Sequence, residues 1–456
     1  MLIRFSVENF LSFKERQTLS MIPGKTQKHK AHICTNSANK NIDILRGSII
    51  YGANASGKSN LIYSMYHCKK LITLGIRAEN KLPHFFFRLD SLCKDKPSVF
   101  EFEFSIRNRN YAYGFSLNSE KILEEWLYLM NKSKDVAIYE RTTDENNKTI
   151  VNFNTSKFKN NIDLKFLKFI GKGTRPNQLF ITECIQRNVK NELRKIPYFI
   201  DTINWFDNVL SIIFPESKYG GTAFEIDKDE NFKKRYTNLL KLFDTDIDGL
   251  NLKKVNLKEE FKELPNKLFE DLEKKVKKGE EGILSGPNDN LYAITRNEQG
   301  ELELYKIMTE HYVTNTNETI NFDIDDESDG TRRILDLIPS IIDIKTNDKV
   351  YIIDELDRSL HPIISNAFIN IFLNEKHNRN SQIIVTTHES SLLNQDLIRK
   401  DEVWFIEKDK KSKESILYSL EEFKPRFDNN IRKGYLLGRF GAIPFVPNLS
   451  RGNWLE

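Results

Sequence analysis

Four short stretches of the chain carry residue types that can work on a phosphate group. The first is Gly52-Ala53-Asn54-Ala55-Ser56-Gly57-Lys58-Ser59, set between an apolar run, Ser48-Ile49-Ile50-Tyr51, and an amphipathic run from Asn60. Glycines at its first and sixth positions let the backbone turn tightly, so that successive N–H groups can point inward at phosphate oxygens. The helix expected after it brings the positive end of its dipole to the same place. Lys58 is spaced to reach β- and γ-phosphates, and the Ser59 hydroxyl to bind Mg2+. Gly52 through Asn60 is therefore the candidate nucleotide cradle.

The second stretch is Lys349-Val350-Tyr351-Ile352-Ile353-Asp354-Glu355, an apolar strand ending in two acids. A strand buried on both faces would deliver Asp354 to the Mg2+ at its carboxyl end. Glu355, one residue on, is placed to orient and deprotonate an attacking water. Many strands end in Asp-Glu, so the pair gains its meaning from its neighbours. Just upstream lies Ser328-Asp329-Gly330-Thr331, a helix start whose hydroxyl and free N–H groups suit a γ-phosphate, or equally a plain cap. The fourth stretch, Ile383-Ile384-Val385-Thr386-Thr387-His388, is a buried strand ending in an imidazole that could contact the γ-phosphate or the water. A histidine alone is more often a structural hydrogen-bonder.

The elements that must position these residues can be read from period and punctuation. Residues 1–22 alternate as two strands around an Asn9–Lys14 turn, and 24–41 is a polar loop. Val99–Ile106 and Tyr111–Leu117 alternate strictly, with Asn108–Asn110 suiting a hairpin turn, and further strands are expected at 121–130, 135–141 and 149–154. Phe100, Phe102, Phe104 and Phe115 could form a base-stacking platform, but the buried face of an antiparallel sheet fits the pattern better. From about 190 to 285 the chain reads as helical and polar. Within it, 253–281 mixes Lys and Glu as a solvated helix face does, although it could also grip a nucleic acid or a partner. Strands return at 290–296, 301–308 and 318–324, and near the end the strand Val403–Glu407 runs through a charged hairpin turn at 408–413 into another strand.

Composition narrows the class. The 456 residues suffice for two or three domains, and a net charge of +4 does not announce a nucleic-acid binder. Four scattered cysteines, Cys34, Cys68, Cys93 and Cys184, indicate neither a disulfide framework nor a cysteine zinc site. With no apolar run near the roughly 20 residues a bilayer needs, and no signal peptide, the expectation is a cytoplasmic protein with no membrane partner.

The order of the four stretches resembles the ABC-type ATPase head in its RecF/SMC-like branch. That resemblance implies an α/β fold: an ABC head with a mixed sheet, an antiparallel β subdomain and a helical insertion. It divides the chain into a first lobe (1–189), the insertion (190–285) and a second lobe (286–456). It casts Ser328 to Thr331 as the signature loop, Asp357 as part of the D-loop, His388 as the switch histidine and Gln186 as the Q-loop metal contact. Asp329 and Thr331 depart from the transporter form of the signature.

More narrowly, Val7-Glu8-Asn9-Phe10-Leu11-Ser12-Phe13, Ser359-Leu360-His361-Pro362 and Gly438-Arg439-Phe440-Gly441-Ala442-Ile443-Pro444 resemble ABC-class ATPases of prokaryotic anti-phage defence, with branches in PARIS, Septu and retron systems. The family implies ATP and Mg2+ as cofactors, a homo-oligomer closed head to head on ATP, and a separate Toprim-type nuclease effector with a phage protein as trigger. A RecF-like repair ATPase that binds DNA is the second reading. A membrane-transporter subunit fits poorly, because the halves of the site lie too far apart in sequence.

Overall fold

Gly47–Tyr51, Val350–Ile353 and Gln382–Thr387 are strands buried along their whole length. In the computed structural model they are neighbours. Gln382–Thr387 lies between the other two, and all three run parallel. The structure describes residues 1–35, 42–158, 161–187, 189, 196–218, 222–261, 282–285, 291–297, 299–345, 347–374, 380–424 and 430–444. They fall into two compact units. One holds 1–214, 347–356 and 368–456, and the other 215–346 and 357–367.

The first unit is built on two large sheets. The mixed one has the order Leu210–Ile213, Val350–Ile353, Gln382–Thr387, Gly47–Tyr51, Val403–Lys408, Ser415–Ser419. All neighbours in it are parallel except the last hairpin. The other is an antiparallel meander through Leu2–Glu8, Ser98–Ile106, Arg109–Leu117, Ile122–Met130, Val136–Thr143 and Thr149–Phe153, with Gln17–Ser20 on its first edge. Phe100, Phe102, Phe104 and Phe115 are fully buried, so the stripe is core and not a stacking platform. Burial of each such ring removes apolar area worth about 2–3 kcal/mol from water.

Helix Lys58–Thr73 packs into the same core through Leu61, Ile62, Met65, Cys68 and Ile72. A short helix, Phe180–Gln186, is fixed through its first turn. The buried Glu125 carboxylate accepts the N–H groups of Phe180 (2.6 Å) and Ile181 (3.0 Å), and burial pushes its pKa up. The Thr182 hydroxyl donates to the carbonyls of Leu71 and Ile72 at 3.0 and 2.9 Å.

The second unit carries an antiparallel sheet in the order Gly249–Val255, Leu302–Val313, Leu291–Arg296, Gly282–Ser285. Glu318–Asp323 also pairs with Leu302–Val313. Helices Glu230–Leu242 and Asp329–Asp343 belong to the same unit, and the Tyr236 hydroxyl donates to the Leu335 carbonyl.

Two local expectations change. The 98–117 hairpin turns at Arg107-Asn108, because Ile106 pairs with Arg109; both turn residues have positive φ, as a two-residue hairpin requires. The stretch read as helical contains strands Leu210–Ile213 and Gly249–Val255. Lys253–Val255 is therefore strand. The lysine-rich part at 262–281 lies outside the described residues, as do 36–41 of the early loop. No helix of the described residues is long and apolar enough to cross a membrane.

His67, on the first helix, is 6% exposed among the rings of Phe10, Phe85 and Phe100. Burial lowers its pKa to about 4. The folded state thus binds a proton less readily than the unfolded chain, whose histidine titrates near 6.5. The contribution is fully present above pH 6.5 and is lost as pH falls toward 4, to a total of about 3 kcal/mol. Denaturant melts of wild type and His67→Leu at pH 7 and pH 4.5 test this. The stability gap should move toward the variant at low pH, while other titrations cancel in the difference.

Candidate functional site

The Gly52–Ser59 loop leaves the strand at Tyr51 and closes onto Gly57, which caps helix Lys58–Thr73 at φ 115°. A β-carbon at Gly57 would lie 2.3 Å from Ser415 Oγ and 2.8 Å from Ser12 Oγ, so both conformation and space demand glycine. Those two serines form a wall behind the loop. Ser415 Oγ donates to the Ser56 carbonyl at 2.5 Å, the Ser415 N–H donates to the Ser12 carbonyl at 2.7 Å, and Asn60 Nδ2 donates to Ser12 Oγ at 2.8 Å. Ala55 takes a positive φ of 60°, and Ser56 N–H closes a turn on the Ala53 carbonyl. Lys58 is 6% exposed, and its ammonium donates to the carbonyls of Gly52 (2.8 Å) and Ala53 (3.2 Å). Asn54, Ala55 and Ser59 face solvent.

Across the neighbouring strand, Thr386 holds the acidic pair. Its hydroxyl donates to Asp354 Oδ1 at 2.5 Å and accepts the Glu355 N–H at 2.8 Å, and its carbonyl accepts the Leu356 N–H. Asp354 is 3% exposed, and Glu355 adopts a positive φ of 48°, rare for a residue with a β-carbon. His388, directly after Thr387, is exposed at the same carboxyl edge. The sheet therefore brings Gly52–Asn60, Asp354, Glu355 and His388 to the carboxyl ends of three adjacent parallel strands. Thr386, Ser12 and Ser415 escaped the sequence reading. For Thr386 the available signal was a Thr-Thr pair just before the histidine. Ser12 stood within the 7–13 motif without a role of its own, and for Ser415 there was no signal.

In the second unit, Ser328 caps helix Asp329–Asp343 by accepting the Thr331 N–H at 3.1 Å, and the two hydroxyls lie 2.9 Å apart. Asp329 pairs with Arg332. Gly330 packs on the turn at 357–360: a β-carbon there would sit 2.8 Å from the Ser359 carbonyl, in a turn where Leu360 N–H donates to the Asp357 carbonyl. Ser328 to Thr331 and Asp357 thus belong to one local structure.

Gln186 does not join the site. It ends helix Phe180–Gln186 and lies near the Leu74 carbonyl, at the far end of helix Lys58–Thr73 from Ser59. Fifteen helical residues separate the two ends by about 22 Å, so Gln186 is not a ligand for a metal at Ser59. The strand whose carboxyl end does reach the acidic pair is Leu210–Ile213, whose last carbonyl accepts the Asp354 N–H; it holds no glutamine.

The donors at the strand ends suit Mg2+, a hard cation that binds oxygen ligands and keeps water and substrate phosphates in its shell. The Ser59 hydroxyl and the Asp354 carboxylate would hold it, and it would supply neutralisation of phosphate charge. Two substitutions test the scaffold. Thr386→Val should lower stability by about 1–3 kcal/mol, read by thermal melt, since it leaves buried Asp354 short of a donor. Gly330→Ala should also lower the melting temperature. An alanine in a helix normally gains up to about 1 kcal/mol over glycine, but the Ser359 carbonyl here occupies the space of the methyl.

Among solved structures, the SMC head domain from Thermotoga maritima is similar at 12% identity, covering 92% of this chain and 98% of that one, with a TM-score of 0.36. An SMC head bound to the C-winged helix domain of ScpA gives 12% identity, 93% and 99% coverage and a TM-score of 0.41. An SMC head with an extended coiled coil, bound to a ScpA C-terminal domain from Pyrococcus furiosus, gives 12%, 93%, 97% and 0.36. No curated protein matches. Residues 48–394 match the family described as "AAA domain, putative AbiEii toxin, Type IV TA system", a span that opens on the P-loop strand and closes just after His388. The chain belongs to that family of ATPase-type proteins.

Proposed function

We propose that the chain binds ATP with Mg2+ and hydrolyses it between two copies closed head to head. On this reading Gly52–Asn60 cradles the triphosphate, with Lys58 exchanging its own loop carbonyls for phosphate oxygens. Glu355 takes the proton of the attacking water, and His388 contacts the water or the γ-phosphate. Ser328, Asp329, Gly330, Thr331 and Asp357 of one copy complete the site of the other. ATP then joins the copies and hydrolysis releases them. The observation that carries the reading is the convergence of the loop, the acidic pair and His388 on one edge of one parallel sheet.

The ATPase cycle serves anti-phage defence in this proposal. The chain is a cytoplasmic sensor and scaffold that holds a separate Toprim-type nuclease and releases or activates it when a phage protein is sensed. In size and compactness it is most similar to AriA, the ATPase subunit of PARIS. Support comes from the motifs at 7–13, 359–362 and 438–444 and from a family description that names a toxin system.

Glu355→Gln should bind ATP and persist as an assembly of at least two copies. Mass measurements that return one species with and without ATP would sink the head-to-head proposal. Lys58→Ala should lose nucleotide binding, because it removes the cation of the loop. In cells that carry the chain with its nuclease, the same variant should restore phage plaques to the number seen without the system. ATPase activity that instead rises strongly on adding DNA, with a steep salt dependence, would point to repair.

A further inference from the structure

Beside the phosphate loop the first unit opens a cavity of about 480 Å3. It is lined by Ser12 and Asn60, the pair joined at the P-loop, and by Tyr63, Phe86, Arg88 and Lys408. Ser59 and Tyr63 are four residues apart on one helix, so they share a face, and Tyr63 stands about one turn, ~6 Å, further along. Tyr63 is held from behind by Phe10, with ring centroids 6.4 Å apart, and by the edge of Phe85 at 6.1 Å. Even so it keeps 36% of its surface exposed, and Leu89 beside it keeps 66%. Apolar rings left open next to a phosphate cradle, with cationic side chains at the rim, match the needs of a heteroaromatic base. The ring stacks on aromatic faces, and its ring nitrogens accept hydrogen bonds from Arg or Lys.

We infer that this cavity takes the purine base of the nucleotide whose phosphates lie on Gly52–Ser59, with Tyr63 and Phe86 as stacking faces and Arg88 as the polar contact. The inference rests on the ATP-binding reading above and adds residues that its motifs do not include. None of Tyr63, Phe86 or Arg88 touches the triphosphate in this arrangement. Their effect must therefore appear in how much the base contributes to binding.

Calorimetric titration of the full chain with Mg-ATP and with Mg-tripolyphosphate, which has no base, separates the two. Wild type should bind ATP at least tenfold more tightly than tripolyphosphate. Tyr63→Leu and Phe86→Leu, which keep apolar bulk in the wall, should each weaken ATP about tenfold and leave tripolyphosphate unchanged. Equal affinity of wild type for the two ligands would overturn the base pocket while leaving the P-loop reading intact. So would variants that bind ATP as wild type does, or that lose both ligands in parallel. If wild type binds neither ligand, the ATP-binding reading itself fails and the pocket with it.

Discussion

The structure depends on the register of three parallel strands, and apolar burial cannot set that register. In a strand with one wet face, a slip of one residue turns the core side outward and is strongly penalised. Gly47–Tyr51, Val350–Ile353 and Gln382–Thr387 are buried on both faces, so a slip would cost little in apolar area. Polar pins do the work instead. Buried Gln382 accepts the Leu2 N–H at 2.8 Å and donates to the carbonyls of Leu2 and Leu45 at 3.0 and 2.8 Å. Buried Arg46 donates to the carbonyls of Leu373 and Ser381. At the other end of the strands, Thr386 locks Asp354 and the Glu355 backbone. A slip would leave each of these groups buried without its partner, at about 1–3 kcal/mol apiece.

This arrangement explains which parts of the site were legible in the chain. The P-loop and the strand ending in Asp354-Glu355 are local. Glycine spacing, an apolar run and the residue that follows it are contained within a dozen positions, so the sequence displays them in full. The alternating strands from 98 to 153 were legible for the same reason, since a period of two records one buried face. Gln186 failed because its place depends on which end of helix Lys58–Thr73 the Phe180–Gln186 helix docks against. That is set by Thr182 on the carbonyls of Leu71 and Ile72 and by Glu125 on a distant strand. Nothing within a few residues of Gln186 encodes either contact.

Ser12 and Ser415 show the same limit from the other side. Each is a single hydroxyl in an ordinary turn or strand start, and they stand about four hundred residues apart. Only the fold places them at Gly57, where they fill the volume that any side chain would need. The hairpin through Lys408–Lys413 and the turn at Asn9–Lys14 thereby become part of the loop's support.

Support from behind has a consequence for how such a loop binds. A glycine-containing loop is free to sample many conformations, and ordering it on a ligand would cost about 1–2 kcal/mol of backbone entropy per residue. Here Ser56, Gly57 and Asn60 are held by the serine wall, and Lys58 is held on the carbonyls of Gly52 and Ala53. Much of the ordering is therefore completed when the two sheets fold, which lowers what a ligand of the proposed kind would have to supply on binding. On the proposed reading the ammonium would trade two carbonyl oxygens for anionic phosphate oxygens, a stronger partner for the same donor. The order built into the core by Gln382, Arg46 and Thr386 thus reaches the Gly52–Ser59 loop through the strands themselves.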